Sequence, residues 1–255
     1  MTILDDIVSR TRARLGAEAP PDNPAAEIAA RLRPPFALTA ALRADRINVI
    51  AEIKSASPSA GSIVENPDVE AIAAEYKEGG AAAISVVTEP EFFRGSHEWI
   101  GRANRYLPVL MKDFIIDESQ LIRGIAAGAS AILLLASLLD AAQIRDFIAC
   151  LDAYSCDALV EVHDEAELAR AVGGGARIIG VNNRNLRDFS VDLGASERLS
   201  ALIPRGVLRV AESGIRTRSD IDRLRAAGFD AFLVGESLLR QNDRAAAVRQ
   251  LVSGT

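Results

Sequence analysis

A single (β/α)8 barrel, or TIM barrel, with an N-terminal helical extension is the fold that this sequence predicts. Its 255 residues are the length that eight strand–helix units require. Short apolar runs alternate with longer amphipathic segments, which is typical of a parallel sheet covered by helices. Eight such apolar runs can be counted. We therefore expect one barrel domain over residues 1–255, in which residues 1–47 form the extension.

The eight runs are predicted to be strands buried on both faces, because they are nearly continuous in apolar residues. They cover residues 48–54, 82–87, 107–112, 131–135, 158–162, 177–181, 207–211 and 231–234. The predicted helices between them cover residues 69–78, 119–127, 140–151, 165–172, 219–227 and 244–252. Glycines follow four of these helices, where a left-handed C-cap is favoured: Gly79 with Gly80, Gly128, Gly173 and Gly228.

An open, doubly wound sheet is the alternative architecture for eight parallel strands. Such a sheet usually carries a glycine-rich nucleotide fingerprint after its first strand. Here the first strand is followed by SASPSAGS, which does not match that fingerprint. The closed barrel is therefore preferred.

The first 47 residues contain a predicted helix over residues 3–15, a proline-rich linker and a second short helix before Pro34 and Pro35. They are too few to bury a core of their own. We interpret them as an extension of the barrel and not as a separate domain.

Composition excludes several functional classes. The net charge of −6 argues against a nucleic-acid partner, because phosphate backbones attract basic surfaces. Asp5 and Asp6 lie where a signal peptide requires basic residues, and the longest apolar run, 131–139, is too short to span a bilayer. The two cysteines, Cys150 and Cys156, have no metal or redox spacing. We expect a cytoplasmic protein with no nucleic-acid or membrane partner.

Polar residues end the apolar strands, and in a barrel of this kind the carboxyl ends of the strands carry the catalytic groups. Isolated charges are rarely placed in apolar runs, because removing them from water costs several kcal/mol. We therefore expect these residues to converge on one mouth. They are Glu52 and Lys54, Lys112, Glu161, Asn182 and Arg184, Glu212 with Ser213 and Gly214, and Gly235 with Glu236.

Lysine usage supports this interpretation. The chain has 29 lysine and arginine residues in total, but only Lys54, Lys77 and Lys112 are lysines. Two of these three lie at strand ends. Lysine can change its pKa and donate a proton, which arginine cannot do as an acid. His163, just beyond Glu161, is expected to have a rim or structural role with its ring on the opposite face.

Six segments resemble indole-3-glycerol phosphate synthase, the tryptophan-pathway enzyme that closes the indole ring. The resemblance extends in register from about residue 3 to residue 250. The segments are AEIKSASPSAG (51–61), LMKDFIID (110–117), LVEVHDEAEL (159–168), IIGVNNRNLRDFSVDL (178–193), AESGI (211–215) and LVGESLL (233–239).

The resemblance implies a (β/α)8 barrel that converts 1-(2-carboxyphenylamino)-1-deoxyribulose 5-phosphate to indole-3-glycerol phosphate, CO2 and water, without a cofactor or metal. Lys112 resembles the general acid of ring closure and Glu161 the acid/base of dehydration, with Glu52, Lys54 and Asn182 as further catalytic groups. Ser57 and Arg184 resemble residues that hold the carboxylate and a hydroxyl. The apolar wall is assigned to Pro58, Phe93 and Leu133, and the phosphate site to Lys54, Ser213, Gly214, Gly235 and the backbone of Glu236.

Two other functions fit the residues alone. The first is a different phosphate-binding barrel, such as an aldolase, in which Lys54 or Lys112 forms a Schiff base. The second is a barrel retained as a non-catalytic scaffold for a partner. We expect a monomeric enzyme.

Overall fold

A computed structural model describes residues 3–17, 33–185 and 190–254. Eight of its strands form a closed barrel in which every neighbouring pair is parallel, in the order β1-β8-β7-β6-β5-β4-β3-β2. Two further short strands in the described residues, Ala56–Ser57 and Gly61–Ser62, pair with each other in antiparallel fashion outside the barrel. The predicted barrel is therefore confirmed. The barrel strands are β1 Asn48–Ile53, β2 Ala83–Val87, β3 Val109–Lys112, β4 Ala131–Leu135, β5 Asp157–Val162, β6 Ile178–Asn182, β7 Leu208–Glu212 and β8 Ala231–Val234.

Eleven helices are present in the described part of the chain. They are α1 Ile3–Ala17, α2 Ala37–Leu42, α3 Val69–Glu78, α4 Glu98–Asn104, α5 Glu118–Ala126, α6 Ala141–Ala153, α7 Glu165–Gly173, α8 Leu193–Ser200, α9 Arg218–Ala226, α10 Glu236–Leu239 and α11 Arg244–Ser253. The six helices predicted between the strands agree with α3, α5, α6, α7, α9 and α11 to within two residues at each end. The second short helix predicted in the extension falls in residues 18–32, outside the described residues.

Aspartate begins most of the barrel helices. An N-cap carboxylate accepts hydrogen bonds from backbone N–H groups that have no acceptor inside the helix, and it also favours the positive end of the helix dipole. Asp140, for example, accepts from the N–H groups of Ala142 and Gln143, both at 2.9 Å. The same arrangement occurs at Asp68, Asp117, Asp164, Asp192 and Asp243.

The predicted helix-terminating glycines are partly correct. Gly80, Gly128 and Gly228 have φ angles of 92°, 99° and 94°, and they form the left-handed turns that were expected. The predictions for Gly79 and Gly173 are wrong. Gly79 is still right-handed and Gly173 is the last residue of α7, so the left-handed turn after α7 is formed by Gly175, with φ of 84°.

The barrel is held by two apolar layers. Alternate strand residues point outward and pack against the helices, while the others fill the barrel interior. Met111 belongs to the outer layer and Leu110 to the inner one. Leu38 and Leu42 of α2 pack with the inner layer and close the barrel at the amino ends of the strands. Glu52, Lys112 and Glu161, for example, each lie two positions after an inner-layer residue of the same strand and so continue an inward-facing apolar row.

Helix α2 is fixed to the barrel by buried polar bonds. Asp157, at the start of β5, accepts hydrogen bonds from the Thr39 hydroxyl at 2.6 Å and the Thr39 N–H at 3.0 Å. Asn48, at the start of β1, donates to the carbonyl of Leu42 at 2.8 Å. These bonds tie two strands through one helix at the end of the barrel opposite the mouth.

We expect Leu38→Ala to destabilise the protein, because the Leu38 side chain is completely buried and its truncation leaves a cavity in the inner layer. Such truncations lower the free energy of unfolding by about 2–5 kcal/mol. Leu202→Ala is the matched control, since Leu202 is 52% exposed and its loss should change that free energy by less than about 0.5 kcal/mol. Urea denaturation measures both. Equal effects of the two substitutions would contradict this account of α2.

Candidate active site

A cavity of about 630 Å³ opens at the carboxyl ends of the strands. All fourteen site residues predicted from the sequence line it, so the expected convergence on one mouth is found. These residues are Glu52, Lys54, Ser57, Pro58, Phe93, Lys112, Leu133, Glu161, Asn182, Arg184, Ser213, Gly214, Gly235 and Glu236. Part of the sixth strand's motif, residues 186–189, lies outside the described residues.

Glu52 and Lys54 form a close ion pair at the end of β1. The Lys54 Nζ donates to Glu52 Oε1 at 2.6 Å, as expected for side chains two residues apart on one strand. Gly235 provides the space for this pair. A Cβ atom at position 235 would lie 2.6 Å from Glu52 Oε1 and 3.2 Å from Lys54 Nζ. The glycine therefore allows the backbone after β8 to approach both charged groups closely.

Lys112 lies between two buried carboxylates. Its Nζ donates to Glu161 Oε2 at 2.9 Å and to Glu212 Oε2 at 3.0 Å. Burial disfavours the ammonium form, but the charges of Glu161, Glu212 and Glu52 outweigh burial and raise the pKa of Lys112 above its ordinary value. Lys112 is therefore a charged proton donor at neutral pH.

Glu161 is held in its ionised form. Burial raises the pKa of this carboxyl, but the charges of Lys112 and His163, together with the hydrogen bond from Asn182, lower it to about 2. The Asn182 Nδ2 donates to Glu161 Oε1 at 3.0 Å, while the Asn182 Oδ1 accepts the backbone N–H of Arg184. The Asn182 amide is thereby fixed against the carboxylate.

Glu212 is the main residue of the site to which the sequence analysis gave no role. It is 1% exposed, and its Oε1 has no hydrogen-bond partner among the described residues. Burial and the charge of Glu161 raise its pKa to about 8, although Lys112 acts in the opposite direction. Two carboxyls that share one ammonium therefore have pKa values displaced in opposite directions, which allows one to be an acid and the other a base.

A glycine inside β6, Gly180, is a sequence signal that could have drawn attention to the Glu212 position but was not used. A glycine in a strand interior often marks the close approach of another group. A Cβ atom at Gly180 would lie 2.1 Å from Glu212 Oε1 and 2.7 Å from the Leu159 side chain. The motif IIGVN therefore needs its glycine to admit the Glu212 carboxylate.

The expected orientation of His163 is wrong. Glu161 and His163 are two residues apart, and side chains at that spacing lie on the same face of extended backbone. The His163 Nε2 accordingly lies 3.4 Å from Glu161 Oε1, and its Nδ1 lies 3.0 Å from Glu167 Oε2. The imidazole belongs to the charged cluster.

An aromatic pair forms one wall of the mouth. The rings of Phe93 and Phe114 have centroids 5.9 Å apart, and Phe114 was another residue not assigned from the sequence. Glu89 holds the loop that carries Phe93, since its buried carboxylate accepts the N–H groups of Phe92 and Phe93 at 2.7 Å and 3.0 Å. Helix α1 contributes further apolar side chains to the cavity, namely Ile3, Leu4 and Ile7.

The opposite side of the mouth is suited to an anion. Ser213 and Gly214, directly after β7, have φ angles of 65° and 80°, a local backbone conformation that is costly for serine and is typical of functional sites. Helix α10 begins at Glu236, and the first N–H groups of a helix lack intrahelical acceptors. The Glu236 carboxylate bonds Arg240 Nε at 2.9 Å. Among the described residues, no group of three or more His, Cys, Asp or Glu is arranged to hold a metal ion.

Comparisons with known proteins identify relatives over nearly the whole chain. The family model described as indole-3-glycerol phosphate synthase matches residues 4–251. The indole-3-glycerol phosphate synthase of Sulfurimonas denitrificans is 42% identical over 99% of this chain and 99% of its own length. That of Koribacter versatilis is 49% identical over 81% of this chain and 80% of its own.

Solved structures of lower identity share the fold. Thiamine phosphate pyrophosphorylase from Pyrococcus furiosus has a TM-score of 0.59 at 19% identity and covers 80% of this chain and 93% of its own. The N-acetylmannosamine-6-phosphate 2-epimerase from Clostridium perfringens has a TM-score of 0.60 at 16% identity, covering 77% and 89%. At such identities the likeness concerns the barrel alone. In the part of the chain described, no helix is both long and apolar enough to cross a membrane.

We expect Glu212 to make the protein less stable as the pH rises. The pKa of Glu212 is raised from its ordinary value of 4.5 to about 8 in the folded state, so its protonated form stabilises the fold fully below about pH 4.5. That contribution is lost as the pH rises towards about 8. Glu212→Gln, which stays neutral, should show a shallower fall in the urea midpoint between pH 5 and pH 8 than the wild-type protein.

Glu165→Gln is the control for this measurement, because Glu165 is an exposed residue in the first turn of α7. Its urea midpoint should follow that of the wild-type protein at every pH. Parallel curves for the wild-type protein and Glu212→Gln would refute the raised pKa.

Proposed function

Because the chain belongs to the indole-3-glycerol phosphate synthase family, we propose that its mouth cavity performs the family's reaction with Lys112 as the general acid and Glu161 as the second proton-transfer group. The chain is a carboxy-lyase of tryptophan biosynthesis. It converts 1-(2-carboxyphenylamino)-1-deoxyribulose 5-phosphate to indole-3-glycerol phosphate, CO2 and water. The family assignment decides against the Schiff-base aldolase and the non-catalytic scaffold.

The observation that carries the assignment of roles is the position of Lys112 between Glu161 and Glu212. In the first step, the ring carbon that bears the carboxylate attacks the ketone carbon of the sugar chain. A carbon–carbon bond forms while the carbonyl electron pair moves to oxygen. The Lys112 ammonium donates a proton to that oxygen and prevents a full negative charge from developing there.

Decarboxylation follows, and no group of the protein has to accept electrons in this step. The attacked ring carbon has become tetrahedral, and its bond to the carboxylate supplies the electron pair that restores the aromatic ring as CO2 leaves. The role that we propose for the protein in this step is to hold the ring against an apolar wall. Phe93, Phe114, Pro58 and Leu133 line that side of the cavity.

Dehydration completes the indole. The new hydroxyl leaves as water after it gains a proton, and a proton is lost from the neighbouring methylene carbon to form the double bond. This step needs one proton donor and one acceptor close together. The opposite pKa displacements of Glu161 and Glu212 support these two roles, with the ionised Glu161 as the acceptor and the protonated Glu212 as the donor.

The proposed substrate orientation places its two anionic groups at opposite sides of the mouth. Arg184 and Ser57, with Asn182, would hold the ring carboxylate and a hydroxyl. Lys54, Ser213, Gly214, Gly235 and the Glu236 N–H would hold the phosphate. The left-handed backbone at Ser213 and Gly214 and the start of α10 support the phosphate assignment, since the corresponding loops of such barrels often bind phosphate. The pairing of Glu236 with Arg240 reduces the repulsion that a free carboxylate would exert there.

We further propose that the chain acts as a monomer in the cytoplasm. Val172, Val191 and Leu202 are the large apolar side chains most exposed among the described residues, and they are scattered singly, which is ordinary for a monomer surface. Cys150 and Cys156 are both thiols that no disulfide joins, as suits a reducing compartment. Sedimentation equilibrium at micromolar concentration should give the mass of one chain, and a dimer mass would contradict the proposal.

Replacing Lys112 should remove most of the activity. Loss of a general acid lowers kcat by about 10²- to 10⁴-fold, and Lys112→Met keeps much of the side-chain volume in the pocket. The rise in indole fluorescence after addition of the carboxyphenylamino-deoxyribulose phosphate measures turnover. Circular dichroism at the assay temperature confirms that the variant is folded, which matters because two buried carboxylates lose their cation.

Lys77→Met is the matched control, because Lys77 is exposed near the end of α3 and is not among the residues that line the cavity. Its kcat should stay within about twofold of the wild-type value. A folded Lys112→Met protein that turns over at the wild-type rate would rule out Lys112 as the acid.

A further inference from the structure

A buried histidine lies beside the reacting groups, and the proposed reaction does not use it. His163 directly follows β5, and its side chain is only 15% exposed. Its Nε2 lies 3.4 Å from Glu161 Oε1, which is the oxygen that also accepts from Asn182. The Nε2 atom is buried and has no closer partner among the described residues. The ring therefore faces Glu161 with one nitrogen.

Glu167, in the first turn of α7, holds the other side of the ring. Its Oε2 lies 3.0 Å from His163 Nδ1 and also accepts the His163 backbone N–H at 2.8 Å. The Glu167 N–H donates in turn to the helix-capping Asp164 at 2.8 Å, and Arg170 Nη2 lies 3.9 Å from Glu167 Oε1. The carboxylate that holds the imidazole is thus itself fixed by the start of the helix.

The protonation state of the ring follows from this geometry. A neutral imidazole has one N–H and one lone pair. If Nδ1 donates to Glu167, the lone pair on Nε2 would point at the Glu161 oxygen, and two acceptors would face each other. The imidazolium form has an N–H on both nitrogens and can face both carboxylates favourably.

We propose that His163 is a positioning residue, an imidazolium that bridges Glu167 and Glu161 and keeps Glu161 ionised and correctly oriented in the resting enzyme. This inference rests on the proposed role of Glu161 in proton transfer. It extends the charged cluster into a row of alternating signs, Glu167, His163, Glu161 and Lys112, which ends at the protonated Glu212.

The charges around the ring favour its protonated form. Burial lowers the pKa of His163, but Glu167, Glu161 and Glu212 together raise it above its ordinary value. Two cations lie near this row, Lys112 beside Glu161 and Arg170 beside Glu167, and a like charge acts in the opposite sense. Loss of the His163 charge would make Glu161 easier to protonate, because the carboxylate would lose one of its two cationic neighbours.

Nitrogen-15 NMR of the imidazoles tests the bridge directly, because the chain has two histidines and one substitution assigns both signals. In the wild-type protein at pH 7, His163 should show both nitrogens protonated. Glu167→Gln and Glu161→Gln should each lower the pKa of His163 by about 1 unit or more. His97, 3.7 Å from Asp113, is the internal reference and should titrate identically in all three proteins. A neutral His163 at pH 7, or a pKa indifferent to Glu167→Gln, would overturn the proposal.

Steady-state kinetics test the consequence for catalysis. His163→Gln and Glu167→Gln should each lower kcat about 10-fold while KM changes less than about twofold, as for a group that acts through Glu161. In both variants the acidic limb of the kcat/KM profile should move to higher pH, since Glu161 then binds its proton more tightly. Glu165→Gln, on the same turn of α7, should behave as the wild-type enzyme.

The outcomes separate the two proposals. The variants could lose activity uniformly across pH even though the pKa of His163 depends on Glu167 and Glu161. That result would mean that His163 only supports packing, and it would refute the positioning role. A wild-type kcat in Glu161→Gln would refute the proposed role of Glu161. The bridge from Glu167 through His163 to Glu161 would then have no part in catalysis, even if the NMR titrations showed that it exists.

Discussion

One ammonium group held between two buried carboxylates is the interaction on which the active site depends. Lys112 bonds Glu161 and Glu212 at nearly equal distances, and none of the three groups would be tolerated alone in an apolar barrel, since an unpaired buried charge costs several kcal/mol. Together they carry one more negative charge than positive when all are ionised. The excess is relieved by the raised pKa of Glu212, because Glu161 has His163 and Asn182 as further partners that favour its ionised form. The cluster therefore holds a proton near neutral pH as a consequence of its own electrostatics.

The barrel provides the geometry that this cluster requires. Lys112, Glu161 and Glu212 come from β3, β5 and β7, so three alternate strands must end at the same height. Each of these residues lies two positions after an inward-facing apolar residue: Leu110, Leu159 and Val210. The apolar residues fill the barrel interior, and the next inward-facing position towards the carboxyl end of each strand carries the charged side chain. Gly180 then leaves the space for the Glu212 carboxylate, so the packing and the chemistry are set by the same alternation.

Much of this arrangement could be predicted from the sequence, for a physical reason. Apolar runs that end in charged residues reveal both the strand and its functional end, and this pattern located Lys112, Glu161, Glu52 and Lys54. The roles of residues such as Arg184 came from resemblance instead. Glu212 was identified at a strand end but not given a role, because its pKa depends on Glu161 and Lys112 from other strands. The helices α2, α4, α8 and α10 are at most eight residues long, too short for periodicity to distinguish them from loops.

The two lysine–carboxylate groups of the mouth are not equivalent, and their surroundings explain why. Lys54 has one carboxylate partner, Glu52, and lies beside Gly235 and the start of α10, where backbone N–H groups favour an anion. Its charge is largely balanced by a single neighbour, which suits a residue that must also attract a phosphate. Lys112 has two carboxylates in contact and lines the same cavity as Phe93 and Phe114. In the proposed roles, the same residue type therefore serves electrostatic binding at one strand end and proton transfer at another, because the number and protonation of the neighbouring carboxylates differ.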